Sequence, residues 1–88
     1  MNINLNSTDR EKYYQLAIDC FQNIDPKVYE NSKFEIVSKS ISILIDHDFI
    51  PTPCVEIKLE LLKDQKKTGN YFLYVDKNKE FIDELLVT

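Results

Sequence analysis

Residues 33–46, KFEIVSKSISILID, decide the fold that this sequence predicts, because they can be interpreted as a strand or as a helix. The Ile, Val and Ser residues individually favour strands or turns. A strict alternation slips in the middle, however, since Phe34 and Ile36 fall on one face and Val37 with the later isoleucines on the other. On a helical wheel the apolar residues share one broad arc, and only Ser40 is misplaced.

A capping signal also favours the helical interpretation. Ser32 and Glu35 have the S-x-x-E spacing in which two side chains satisfy the unpaired backbone N–H groups at a helix start. We therefore predict a helix over residues 33–46.

The N-terminal segment predicts another helix, over residues 8–24. Thr8 and Glu11 have the spacing of a capping box, and Pro26 ends the helix because the residue before a proline is disfavoured in helical geometry. At about 100° per residue, the segment has one apolar side. That side consists of Tyr13, Leu16, Ala17, Cys20, Phe21 and Ile24.

The remaining part of the chain predicts three antiparallel strands, over residues 54–62, 70–75 and 80–87. The first is the clearest, because four apolar residues alternate with charged ones, as in a strand with one buried face. Gly69 suits a turn with positive φ, and Asp76–Lys79 suits a tight hairpin turn. The four alternating apolar residues are Val55, Ile57, Leu59 and Leu61.

These elements predict an α+β fold with two helices packed on one face of a three-stranded meander. The 88 residues suit a single domain, residues 1–88. No apolar run approaches the ~20 residues of a membrane span, and no basic region precedes an apolar one at the N-terminus, so we expect a cytoplasmic protein. Cys20 and Cys54 have no C-x-x-C spacing and are expected to be reduced thiols.

Little in the sequence favours catalysis, since it contains one histidine and one arginine. The cluster Asp46-His47-Asp48 resembles a metal or general-base site, but three adjacent loop residues seldom converge on one ion. Glu56 and Glu60, on alternate positions of a strand, fit a solvated face. We therefore expect no enzymatic activity, no metal and no cofactor.

The sheet face away from the helices is the candidate binding surface. If the aliphatic residues face the helices, Phe72 and Tyr74 stand on this open face, and aromatic residues are favoured at interfaces. Two registers of the last hairpin are open: Val75 opposite Glu80 places Asp83 across from Phe72, whereas Val75 opposite Phe81 places Glu84 there. Both put a carboxylate beside an aromatic ring.

The acidic character of the chain favours a basic protein partner over nucleic acid, although acidity can also serve solubility alone. The net charge is −4, and the excess of acidic residues lies in residues 1–62. Aromatic anchors with an acidic rim suit docking, but the aromatic residues could instead cover the sheet or pair in a homodimer. The predicted partner-binding residues are Asp46, Asp48, Glu56, Glu60, Phe72, Tyr74, Asp83 and Glu84.

The stretch from Gly69 to Val87, G-x-Y-x-L-x-x-D-x-x-x-x-F-I-D-E-L-L-V, resembles the C-terminal strand pair of small bacterial immunity proteins of contact-dependent inhibition and other polymorphic toxin systems. The resemblance implies a cytoplasmic protein that binds and blocks a cognate toxin domain, often a nuclease. We therefore expect an immunity protein, a monomer or weak homodimer, that occludes the active site of a toxin nuclease such as one directed at tRNA. A self-associating structural or adaptor domain is the alternative. The matching residues are Gly69, Tyr71, Leu73, Asp76, Phe81, Asp83, Glu84, Leu85, Leu86 and Val87.

Overall fold

The structure is a computed structural model that describes residues 7–24, 34–46 and 51–87. The described chain has an α+β fold with one helix and one antiparallel sheet, whose strand order is β1-β2-β3-β4. The helix lies on one face of the sheet, over β1, β2 and β3, and does not extend over β4. The elements are α1 (Ser7–Gln22), β1 (Glu35–Leu44), β2 (Cys54–Lys63), β3 (Lys66–Val75) and β4 (Phe81–Val87).

The helix predicted over residues 33–46 is wrong, and with it the arrangement of two helices on three strands. Glu35–Leu44 form β1, which pairs antiparallel with β2 and lies at one edge of the sheet. Ser32 of the predicted capping box lies outside the described residues, while Glu35 is the first residue of the strand. The sheet therefore gains a fourth strand, and the β-branched composition of the segment outweighs its helical periodicity.

A single extra residue in β1 explains the slip in its alternation. Lys39 has no partner on β2, between the paired residues Ser38 and Ser40. An extra residue inverts the alternation beyond it. Ile36 and Ile41, an odd number of positions apart, therefore lie on the same face of the sheet and pack against the core.

The core lies between α1 and the helix-facing side of β2 and β3. The predicted inward face of β2 is confirmed, because each of its four alternating apolar residues is 0% exposed. Burying an aliphatic side chain of this size contributes roughly 1.5–3 kcal/mol, so these central strands hold most of the stabilising apolar area. The buried residues of the sheet core are Val55, Ile57, Leu59, Leu61, Tyr71, Leu73 and Val75.

The predicted N-terminal helix is present as α1, and it contributes Tyr13, Ala17 and Phe21 to the core. These residues recur every four positions, so they lie on one side of the helix. The small side chain of Ala17 is 0% exposed and lets the helix approach the sheet closely. The Phe21 ring contacts Tyr71 edge-on, with centroids 5.4 Å apart, and the centroid of the tilted Phe34 ring lies 6.3 Å from that of Phe21.

The β2–β3 hairpin turns at Asp64 and Gln65, and not at Gly69 as predicted. Both turn residues have positive φ, 53° and 66°, as in the two-residue type I′ turn that matches strand twist. Gly69 has no positive φ and lies inside β3 opposite Leu61. It follows Thr68, which has no partner on β2 and donates its hydroxyl proton to the Leu61 carbonyl at 3.2 Å. The glycine therefore marks a bulge.

The β3–β4 turn is held by Asp76, as the sequence predicted for a tight turn there. One oxygen of its carboxylate, Oδ1, accepts hydrogen bonds from the backbone N–H groups of Asn78 at 2.7 Å and Glu80 at 3.0 Å. Lys79 has a positive φ of 63°, and its ammonium lies 4.8 Å from the centre of the Tyr13 ring. This contact ties the turn to α1.

Candidate partner-binding face

The open face is the side of the sheet away from α1, and its side chains form three rows across β2, β3 and β4. Residues directly opposite one another on neighbouring strands point to the same face, so the register defines each row. The first row contains Glu56, Tyr74 and Asp83, the second Lys58, Phe72 and Leu85, and the third Glu60, Asn70 and Val87.

The prediction that Phe72 and Tyr74 lie on the open face is confirmed. They alternate along β3 with residues that are at most 1% exposed on the helix side. Both aromatic side chains are themselves half-buried among neighbours on adjacent strands. The ammonium of Lys58 lies 5.7 Å from the centre of the Phe72 ring, which places a cation over one of the two rings.

Neither predicted register of the last hairpin is the observed one. Val75 pairs with Phe81, as in one of them, but Ile82 has no partner on β3. This extra residue shifts the rest of β4 by one position, so Leu85 lies opposite Phe72 and Asp83 lies opposite Tyr74. The expected carboxylate beside Phe72 is absent from this pair, and an apolar contact replaces it.

Glu84 lies on the helix side of β4, opposite Leu73, and not on the open face as predicted. Its carboxylate accepts a hydrogen bond of 2.8 Å from the Tyr71 hydroxyl. Burial, followed by this hydrogen bond, raises the pKa of Tyr71, so the phenol stays protonated and remains a donor. The bond fixes one carboxylate of β4 against the core.

The first row is the acidic part of the open face. Burial, followed by a hydrogen bond to the Glu56 carboxylate, raises the pKa of Tyr74 to about 12. Asp83 lies on the other side of the same tyrosine, and its nearby negative charge raises that pKa further. The row thus presents one carboxylate on each side of the Tyr74 phenol and contains no basic residue.

Glu60, in the third row, is compensated by two lysines. The ammonium groups of Lys39 and Lys67 lie 3.8 Å and 4.0 Å from its carboxylate, whose side chain is only 18% exposed. Lys39 is the unpaired residue of the β1 bulge, and Lys67 comes from the start of β3. The open face is therefore negative at the row of Glu56, whereas two ammonium groups outnumber the one carboxylate at the row of Glu60.

The other predicted site residues are not brought to these rows. Asp46 is exposed and follows β1, beyond the end that pairs with Cys54, while His47 and Asp48 lie outside the described residues. Among residues 7–24, 34–46 and 51–87, no three His, Cys, Asp or Glu side chains group as metal ligands would.

The two cysteines lie on different elements and are free thiols, as expected. Cys20 is half-buried on α1, and Cys54 is 0% exposed at the start of β2. Burial is the largest cause of a raised pKa at both thiols. Both are therefore protonated and weakly nucleophilic at neutral pH.

Exposed apolar residues on the edge strands are the feature that the sequence did not reveal. On the open face, Leu85 is 51% exposed, Val87 46% and Val37 40%. Phe81, on the helix side of β4, is 58% exposed. The sequence DELLV contains the apolar residues, but the bulge at Ile82 decides which of them lie on each face.

The sequence matches no protein-family model, no curated protein and no solved structure. In the part of the chain that the structure describes, no helix combines the length and the apolar character needed to cross a membrane.

Proposed function

We propose that this protein is a cytoplasmic immunity protein that binds a cognate toxin domain, a nuclease, through the open face and occludes its active site. The observation that carries the proposal is the aromatic pair Phe72 and Tyr74 on a sheet face that α1 leaves open, next to the exposed Leu85 and Val87. Contiguous apolar and aromatic residues of this kind mark interaction surfaces.

The anchors and the charges have different tasks in this proposal. Phe72 and Leu85, neighbours in the second row, supply apolar area that binding removes from water. Glu56 and Asp83 supply negative charge one row away, which accelerates and orients encounter with a basic surface. A nuclease offers such a surface, because its substrate channel must attract phosphates.

The class of partner comes from the resemblance of Gly69–Val87 to immunity proteins. This segment contains the part of β3 from Gly69 to Val75 and all of β4. Inhibition by occlusion needs no catalytic group, no metal and no cofactor in this chain. The free protein acts as a monomer or weak dimer that dissociates to bind.

The test uses the toxin domain encoded by the gene directly next to this one. Co-expression should protect cells from that domain, and the two proteins should co-purify. The double variant Phe72→Ala, Glu56→Lys should weaken binding in calorimetry at least about tenfold, because it removes one anchor and reverses one charge.

Glu11→Lys is the matched control, since Glu11 is an exposed carboxylate on α1, away from the open face. Circular dichroism must show that all variants are folded. Full protection by the double variant would contradict the assignment of the surface. A neighbouring gene without a toxin domain, or a stable homodimer that Phe72→Ala disrupts, would favour the self-associating adaptor instead.

A further inference from the structure

β4 is partly exposed on both of its faces, although Leu86 packs against the core, and no strand among the described residues pairs with its outer edge. Among the described residues it pairs with β3 alone, and α1 does not extend over it. Phe81 projects on the helix side at 58% exposure, while Leu85 and Val87 project on the open face at 51% and 46%. Three strongly exposed apolar side chains thus lie on one seven-residue strand.

An exposed apolar edge strand is an aggregation hazard that proteins usually reduce with lysines on the strand. The other edge strand follows this rule, because Lys39 lies at the bulge of β1. From Glu80 to Val87, by contrast, there is no basic residue. β4 is protected instead by the bulge at Ile82 and by the carboxylates of Asp83 and Glu84. Its apolar side chains remain exposed beside these carboxylates, and a partner can cover them.

The charges of β4 define that partner. Glu80, Asp83 and Glu84 are all exposed, and the last two point to opposite faces of the sheet. Both are held in place: Asp83 accepts the backbone N–H of Glu84 at 2.8 Å, and Glu84 accepts the Tyr71 hydroxyl. A second copy is a poor occupant, since antiparallel pairing of two β4 strands would bring these carboxylates together without a basic residue between them.

We propose, on the basis of the proposed function, that the toxin domain clasps β4 on both faces in a cleft with an apolar floor and a basic rim. In this arrangement Leu85 and Val87 contact one wall of the cleft and Phe81 the other. Asp83 and Glu84 each meet basic groups on their own side. Docking on the open face alone would leave Phe81 and Glu84 outside the interface.

Matched variants on the two sides of β4 test this arrangement in titrations with the toxin domain encoded by the neighbouring gene. Leu85→Ser changes the open side and Phe81→Ser the helix side, and we expect each to weaken binding at least about tenfold. Ile43→Ser is the control. Ile43 is 40% exposed on the helix side at the opposite edge of the sheet, and this variant should bind like the wild type.

Glu84→Gln keeps the test valid if Phe81→Ser folds poorly. The amide oxygen still accepts the Tyr71 hydroxyl, but the charge is lost, so we expect weaker binding and a smaller dependence of affinity on salt.

The outcomes separate the clasp from the proposed function. One outcome overturns the clasp and leaves open-face inhibition intact. In it, Phe81→Ser and Glu84→Gln bind like the wild type, whereas Leu85→Ser and the Phe72→Ala, Glu56→Lys variant bind more weakly. Absence of binding by the wild type overturns both. A free-protein dimer that Phe81→Ser breaks, seen by sedimentation equilibrium, overturns the clasp in favour of a second copy.

Discussion

The two faces of the sheet are built from the same strands but have opposite properties. On the helix side, β2 and β3 bury a continuous aliphatic and aromatic layer, and no polar or charged residue is buried among the described residues. On the open side, the alternate positions of the same strands hold Glu56, Lys58, Phe72 and Tyr74, all only half-buried. Stability and the proposed binding therefore depend on neighbouring residues, and substitutions one position apart should separate them.

The largest expected difference is between Leu73 and Phe72, which are adjacent on β3. Leu73 is 0% exposed on the helix side, so Leu73→Ala should lower the free energy of unfolding by about 2–5 kcal/mol through the cavity it leaves. Phe72→Ala should lower it by about 1 kcal/mol, because the ring is half-buried and lines no closed core.

Urea denaturation measures both changes in the free energy of unfolding. In toxin binding we expect the opposite ranking, with the larger effect at Phe72. Phe72→Ala should weaken binding, whereas Leu73→Ala should bind normally at temperatures where it is folded. Equal losses of stability in the two variants would show that the open face is covered and is not available to a partner.

A smaller difference is expected between the two tyrosines that donate to carboxylates. Tyr71 does so on the helix side, where it is 0% exposed, and Tyr74 does so on the open side. Tyr71→Phe should lower the free energy of unfolding by about 1.5 kcal/mol, since the acceptor is charged and the side chain that donates the hydrogen bond is fully buried. Tyr74→Phe should cost about 0.5 kcal/mol, because solvent competes there. A larger cost at Tyr74 would show that solvent does not weaken its hydrogen bond.

The last comparison concerns the loss of stability at alkaline pH. The pKa of Tyr74 is raised to about 12 in the folded state, above the value of about 10 in an unfolded chain. Its contribution is therefore complete below about pH 10 and is lost as the pH rises through 12, because the unfolded chain releases the proton first. Tyr74→Phe should make the free energy of unfolding fall less steeply over this range. An unchanged slope in urea denaturation series would contradict the raised pKa.

Much of this architecture follows from patterns that the sequence displays without interruption. β2 alternates strictly from Val55 to Leu61, so its buried face was predictable. The apolar side of α1 was also predictable, as was the side of β3 that presents Phe72 and Tyr74. In each case one periodicity holds from end to end and burial then follows it.

Two of the features that could not be predicted each depend on one strand residue that has no partner on the neighbouring strand. Lys39 breaks the alternation of β1 and makes a strand resemble a helix, and Ile82 shifts β4 so that Leu85 replaces a carboxylate opposite Phe72. The face on which Glu84 lies was predicted wrongly for the same reason. The prediction of the β2–β3 turn was wrong for another reason, because Asp64 and Gln65 adopt the left-handed geometry that was predicted for Gly69.

The three unpaired residues, Lys39, Thr68 and Ile82, also determine where this chain can change length. Deleting any one of them leaves an uninterrupted strand whose side chains keep their present faces, whereas deleting a residue from the middle of β2 inverts everything beyond it. Single-residue gaps in related chains should therefore fall at these positions, while β2 keeps a constant length. Sequence alignments that penalise gaps inside strands will separate such relatives from this protein even where the sheet is the same.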